Sequence, residues 1–176
     1  MMPRNIWFER KFTLDLPLSM FPNVLERVRG TPARLEDRLL KLPREVLTRR
    51  AGDAWSMQEQ AGHLLDLGAL DLGRLDDYAA GLATLRPADL GNRRTHEANH
   101  NADSIERILV SFRAERAEFV RRLEEFDPQD AGRTALHPRL NQPMRVIDFA
   151  YFIAEHDDHH LARISDLIRI EGNAEV

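Results

Sequence analysis

A chain of 176 residues, 43% hydrophobic and 31% charged, is long enough to bury roughly 70% of its unfolded surface in a core of its own. It has no cysteine, which excludes disulfides, thiolate metal ligands and a cysteine nucleophile. A net charge of −4 offers no basic field for nucleic acid, no apolar run approaches the roughly 18 residues of a membrane span, and the N-terminus lacks the apolar core of a signal peptide, so a cytoplasmic protein with no nucleic-acid or membrane partner is expected.

Residues 1–20 alternate weakly through Phe12, Leu14 and Leu16 and read as a short extended arm. A helical stretch follows over 21–42, where Leu25, Val28, Leu35, Leu39 and Leu42 recur near helical spacing. Inside it Thr31-Pro32 either caps a new helix or kinks a single long one. The second helix has the clearest start: Ser56-Met57-Gln58-Glu59 is a capping box, in which serine and glutamate satisfy orphan backbone N–H groups reciprocally. From there Gln60, His63, Leu64, Leu67, Leu70, Arg74, Leu75 and Tyr78 follow one face, and Gly81 is the expected stop.

Residues 83–100 carry Pro87, Gly91, Asn92 and Asn99 without periodicity and read as a long connection. A third helix over 102–126 presents Ile105, Ile108, Leu109, Phe112, Phe119, Leu123 and Phe126 as one stripe, ended by Asp127-Pro128. A second connection, 127–143, precedes a fourth helix over 144–171, with Gly172 as the expected C-cap. No strand pattern stands out. The reading is an all-α four-helix bundle with a short extended arm (1–20), long connections and a single bundle domain over 21–172.

Two histidines stand where the fourth helix would otherwise carry Leu or Ile. Phe149, Ile153, His156, His160, Ile164 and Leu167 form its stripe, so His156 and His160 face the same way one turn apart. That is the spacing by which a helical His-x-x-x-His pair grips a metal. His63 lies on the inner stripe of the second helix. Seven histidines give about 0.3 such pairs by chance, so placement on the core face counts for more than spacing. A second pair, His96 and His100, falls in the aperiodic connection and reads as loop histidines. His159, rotated about 100° from His160, leaves the seam. His137 reads as a loop residue. Buried imidazoles need partners; a divalent ion held by His63, His156 and His160 supplies one and leaves coordination positions open, as in catalytic sites.

Two blocks then carry a family resemblance. Trp55-Ser-Met-Gln-Glu-Gln-Ala-Gly-His63-Leu-Leu-Asp66 and Ala154-Glu-His156-Asp-Asp-His-His160-Leu-Ala-Arg-Ile164 resemble the two ligand segments of the DinB/YfiT-like family of metal-binding four-helix bundles. The resemblance covers about residues 20–171. It implies His63, His156 and His160 as metal ligands, with zinc or nickel as the expected ion. Gly62 departs from it, since some members carry a second histidine there.

The resemblance also implies two activities on a small-molecule substrate. The leading one is transfer of a low-molecular-weight thiol cosubstrate to an electrophile. The alternative is hydrolysis by metal-activated water, and a non-catalytic metal-binding or stress-response module is the third reading. Glu59, one turn before His63, is a candidate general base, against its competing role in the capping box. Asp66, Glu155, Asp157 and Asp158 are candidates to orient the imidazoles. The connections at 83–100 and 132–143 are expected at the pocket mouth. The arm, with Trp7, Phe8 and Phe12, is a candidate contact in an expected homodimer.

Overall fold

The structure is a computed structural model and describes residues 6–127 and 130–174. Eight α-helices and one hairpin follow in chain order: α1 (Phe21–Arg29), α2 (Thr31–Leu39), α3 (Arg44–Leu47), α4 (Met57–Asp66), α5 (Gly68–Ala79), α6 (Arg93–Glu97), α7 (Ile105–Glu124), β1 (Thr134–His137), β2 (Gln142–Arg145) and α8 (Val146–Ala174). Four long rods make the bundle: α1 with α2, α4 with α5, α7, and α8. The first two rods each pack against both α7 and α8.

The first rod is kinked rather than capped anew. Pro32 lacks the N–H that would bond back to Val28, and the helix breaks at Gly30. Gly30 N still donates to Glu26 O at 3.0 Å, and Arg34 N to Gly30 O at 3.2 Å. The Thr31 hydroxyl caps nothing; it donates to Asp157 at 2.8 Å. The second rod begins where expected, with both halves of the Ser56–Glu59 capping box formed. It bends at Leu67, and the Glu115 carboxylate on α7 occupies the space that a Cβ at Gly68 would take. The rod ends at Ala79, and Gly81 turns the chain at φ 67°. Ser104 caps α7 by accepting from Arg107 N at 3.2 Å.

Two expectations are corrected. Helix α8 runs on to Ala174, so Gly172 does not stop it. The connection at 127–143 contains strand β1, which pairs with β2 antiparallel, Ala135 opposite Met144. Four-residue strands with Pro143 in one of them leave no alternation to read. Tertiary contacts hold the hairpin: Ala135 and Met144 are buried, the Tyr78 hydroxyl donates to Met144 O at 2.8 Å, and Leu136 bonds the backbone of Ala83 and Leu85. No helix among the described residues is long and apolar enough to cross a membrane.

The apolar core has two halves. One gathers Val28, Leu75, Phe119, Leu123, Phe149 and Ile153; the other gathers Leu35, Leu64, Ile108, Phe112, Leu161 and Ile164. On every rod a buried polar residue lies between these halves: Thr31, Asp71, Arg116 and Asp157, each at most 5% exposed. Arg116 donates to Asp157 at 3.0 Å, and its guanidinium lies over the Phe112 and Phe119 rings. A buried ion pair of this kind stabilises little by itself, but breaking one side of it is costly.

Arg116→Met should therefore lower the unfolding free energy by about 3–5 kcal/mol, because Asp157 stays buried without its cation. The double variant Arg116→Met/Asp157→Leu should recover most of that loss in urea unfolding. A double variant no more stable than the single one would show that the pair is not the bridging element.

Candidate metal centre

Helix α4 supplies His63 and helix α8 supplies His156 and His160. All three are buried, at 4%, 9% and 6% exposure, and their nearest ring nitrogens all lie within 4.8 Å of one another. The centroid of the His63 ring is 4.8 Å from that of His160 and 5.4 Å from that of His156. The sequence-predicted trio thus converges, across two rods that touch.

Hydrogen bonds orient two of the rings. His160 Nδ1 is 2.6 Å from Gln60 Oε1, which only accepts, so the proton sits on Nδ1 and the Nε2 lone pair is left for the cluster. That Nε2 faces His156 Nε2 at 3.2 Å. His63 Nδ1 shares a hydrogen bond with Thr95 Oγ1 at 3.0 Å. Trp55, the first residue of the motif, packs on the His63 ring at 4.7 Å and stacks on His160 at 6.3 Å. Trp7 of the arm covers His156 edge-on at 4.8 Å.

Electrostatics keep the cluster neutral. Burial lowers the His63 imidazole to about 4, and it holds His156 and His160 well below the ordinary value, with the neighbouring imidazoles adding to the effect. Neutral imidazole is the form that ligates a metal. Three such nitrogens suit a divalent ion at about 2.0–2.1 Å from each with modest side-chain rotation, so the donor set fits one.

Around this cluster the sequence reading divides. Gln60 and Thr95 bond the imidazoles directly; of the four candidate carboxylates, Asp66 reaches His63 through the Thr95 hydroxyl and the other three are engaged elsewhere. Asp66 bonds His100 Nε2 at 2.8 Å. Glu155 pairs with Arg10 and Arg27. Asp158 pairs with Arg27 and with Arg34, and Asp157 with Arg116. Gln60 was visible as the residue one turn before His63. Thr95 was not, because it belongs to a connection whose path only the fold sets. Glu59 spends its carboxylate on the Ser56 N–H, at 2.9 Å, and on Arg50, and it does not line the adjoining cavity.

His100 explains Gly62. A Cβ at residue 62 would collide with the His100 ring, which is 7% exposed. The space a larger residue would fill at this helix position holds an imidazole from the connection instead.

The three imidazoles line a cavity of about 480 Å³. Its walls come from both long connections (Leu90, Asn92, His96; His137, Arg139), from helix residues Asp71, Arg74 and Phe152, and from Trp7 of the arm. Trp7 and Phe12 pack against Phe152 of their own chain. His159 is half-buried and also lines the cavity.

Fold and site define a class: a helical bundle with three neutral imidazoles, from two rods, in the wall of a ligand-sized cavity. The chain belongs to the DinB superfamily, whose model matches residues 27–164. Its fold is similar to that of YfiT from Bacillus subtilis, described as a probable metal-dependent hydrolase with an unusual four-helix bundle topology. The TM-score is 0.76 at 17% identity, over 93% of this chain and 94% of that one. No curated protein matches the chain.

Two measurements check the electrostatics and packing. Gly62→Ala should cost about 1–3 kcal/mol through overpacking, and His100→Ala in the same chain should relieve most of it. The second concerns acid. A histidine whose folded value is depressed loses stability as pH falls from 7 to 4, since the unfolded chain protonates first. Asp71 acts oppositely: burial raises its carboxyl to about 7, so the folded chain takes that proton first. In metal-free protein, Asp71→Asn should make stability fall more steeply between pH 7 and 4 than in the parent chain; an unchanged slope would contradict the raised Asp71.

Proposed function

We propose that the protein is an enzyme acting on a small molecule with a divalent ion held by His63, His156 and His160. The observation that carries this reading is the convergence of three buried, neutral imidazoles on a cavity of about 480 Å³, a volume in the range of small-molecule sites. A structural ion would call for a fourth ligand and a closed shell; here the fourth side faces the cavity. When bound, such an ion lowers the pKa of a coordinated water or thiol and polarises an oxygen of the substrate. The chain's own part is to hold three ligands in register, to fix the His160 tautomer through Gln60, to steady His63 through Thr95, and to wall the site with Trp7 and Trp55.

Hydrolysis is the reaction this reading puts first, supported by the likeness to YfiT. Among the described residues no carboxylate is hydrogen-bonded to the three imidazoles, and Glu59 is committed to the cap. Asp71 is the buried carboxyl that lines the same cavity. Transfer of a low-molecular-weight thiol to an electrophile is the second reading, since a divalent ion ionises a bound thiol without a protein base. Both leave zinc and nickel open, since imidazole suits either.

Purified protein should carry about one divalent ion per chain by elemental analysis. His63→Ala, His156→Ala and His160→Ala should each strip most of it, while His96→Ala should retain it. Ester and amide hydrolysis and thiol conjugation should then be screened on loaded and chelated protein. Activity that survives chelation unchanged would remove the ion from the reaction.

A further inference from the structure

The cavity also holds a set of hydrogen-bond donors that the metal reading does not use. His137, from β1, is 1% exposed. Its Nδ1 accepts the Leu140 N–H at 3.2 Å, so in the neutral ring the proton is on Nε2. That Nε2 is buried with no partner among the described residues, and so is Nη2 of Arg139. Arg74, 3% exposed, spends Nε on Arg86 O at 3.1 Å. Neither Arg74 nor Arg139 has a carboxylate within ion-pair distance among the described residues. All three residues line the cavity. They are close enough that both arginines disfavour a charge on His137, and burial with that field drives its imidazole down to about 3.

Two guanidinium groups without a carboxylate partner, with two buried donor atoms (His137 Nε2 and Arg139 Nη2) that have no acceptor among the described residues, are expensive to hold beside one another. The acidic groups acting on Arg74 are Asp71 and Asp77. Asp77 is already bound by the backbone N–H and the guanidinium of Arg86. Burial disfavours the charge on Asp71, and no hydrogen bond or ion pair joins it to Arg74 among the described residues, so it compensates only in part. The donors therefore lack one negative charge.

Resting on the enzyme reading above, we propose that Arg74, His137 and Arg139 form an oxyanion subsite beside the three imidazoles, and that the substrate is a small organic anion with an apolar body. Arg139 lies over the rings of Trp7, Phe8 and Phe152 at 5.5–5.7 Å. Trp7 also covers His156, so one aromatic side chain spans the space between subsite and metal centre. The anion would dock on the arginines, with its body along Trp7 and Phe152 and its reacting end toward the imidazoles. Arg139 is half-buried and stacked rather than ion-paired, so it is the member free to swing onto a ligand.

Both tryptophans, Trp7 and Trp55, line the cavity, so intrinsic fluorescence reads its occupancy. Phenylacetate, phenylphosphate and the neutral phenylacetamide should be titrated into loaded and chelated protein. The expected result is saturable binding of an anion but not of the amide, retained after chelation and weakened about tenfold or more by Arg139→Gln, the loss expected for one charge-assisted contact. The preferred anion separates a carboxylate from a phosphate ligand. His137→Phe should weaken binding too and guards against a folding defect specific to Arg139→Gln, with metal content as the control in both. Equal binding of the amide, or anion binding that vanishes on chelation yet survives Arg139→Gln, would overturn the subsite. Neither result would touch the three-histidine centre, which metal content tests separately.

Discussion

The constraint on which this structure turns is a layer of polar side chains buried across the middle of a helical bundle. Between two apolar halves, Thr31, Asp71, Arg116 and Asp157 face one another, and the three imidazoles lie beside them on α4 and α8. Each group loses its water on folding and needs a partner inside. Asp157 has the Thr31 hydroxyl and Arg116; His160 has Gln60 and His63 has Thr95. Neighbouring turns carry large apolar residues, so the polar layer is held in place from both sides.

That burial sets the chemistry. Desolvation disfavours charged imidazole and keeps the cluster in the form that donates lone pairs. It acts in reverse on Asp71, whose carboxyl rises to about 7. The same low-polarity surroundings leave Arg74, His137 and Arg139 as donors in want of an anion. One physical cause thus prepares both a cation site and an oxyanion subsite within a single cavity.

The irregular segments complete what the rods begin. The arm lays Trp7 on His156, the connection after α5 brings Thr95 to His63 and His100 against Gly62, and the hairpin brings His137 and Arg139 to the cavity. The hairpin is tied to the bundle through Tyr78 and through Ala83 and Leu85, so its position is set by rigid neighbours. Glycine matters where these segments approach closely: Gly62 admits an imidazole, and Gly73 admits the Arg86 side chain that pairs with Asp77.

What was legible in the sequence is what depends on local periodicity. The four rods, the Ser56–Glu59 cap and the inward faces of His63, His156 and His160 follow from side chains recurring every three or four residues, a property of the helix itself. The short hairpin, the continuation of α8 past Gly172 and the partners of the imidazoles were decided by contacts distant in the chain. Asp66, Glu155, Asp157 and Asp158 lay within reach by spacing, yet each found a nearer cation or histidine once the rods packed. Thr95, His137 and Arg139 come from segments with no period to read, and their place around the cavity exists only because tertiary packing brings those segments against the rods.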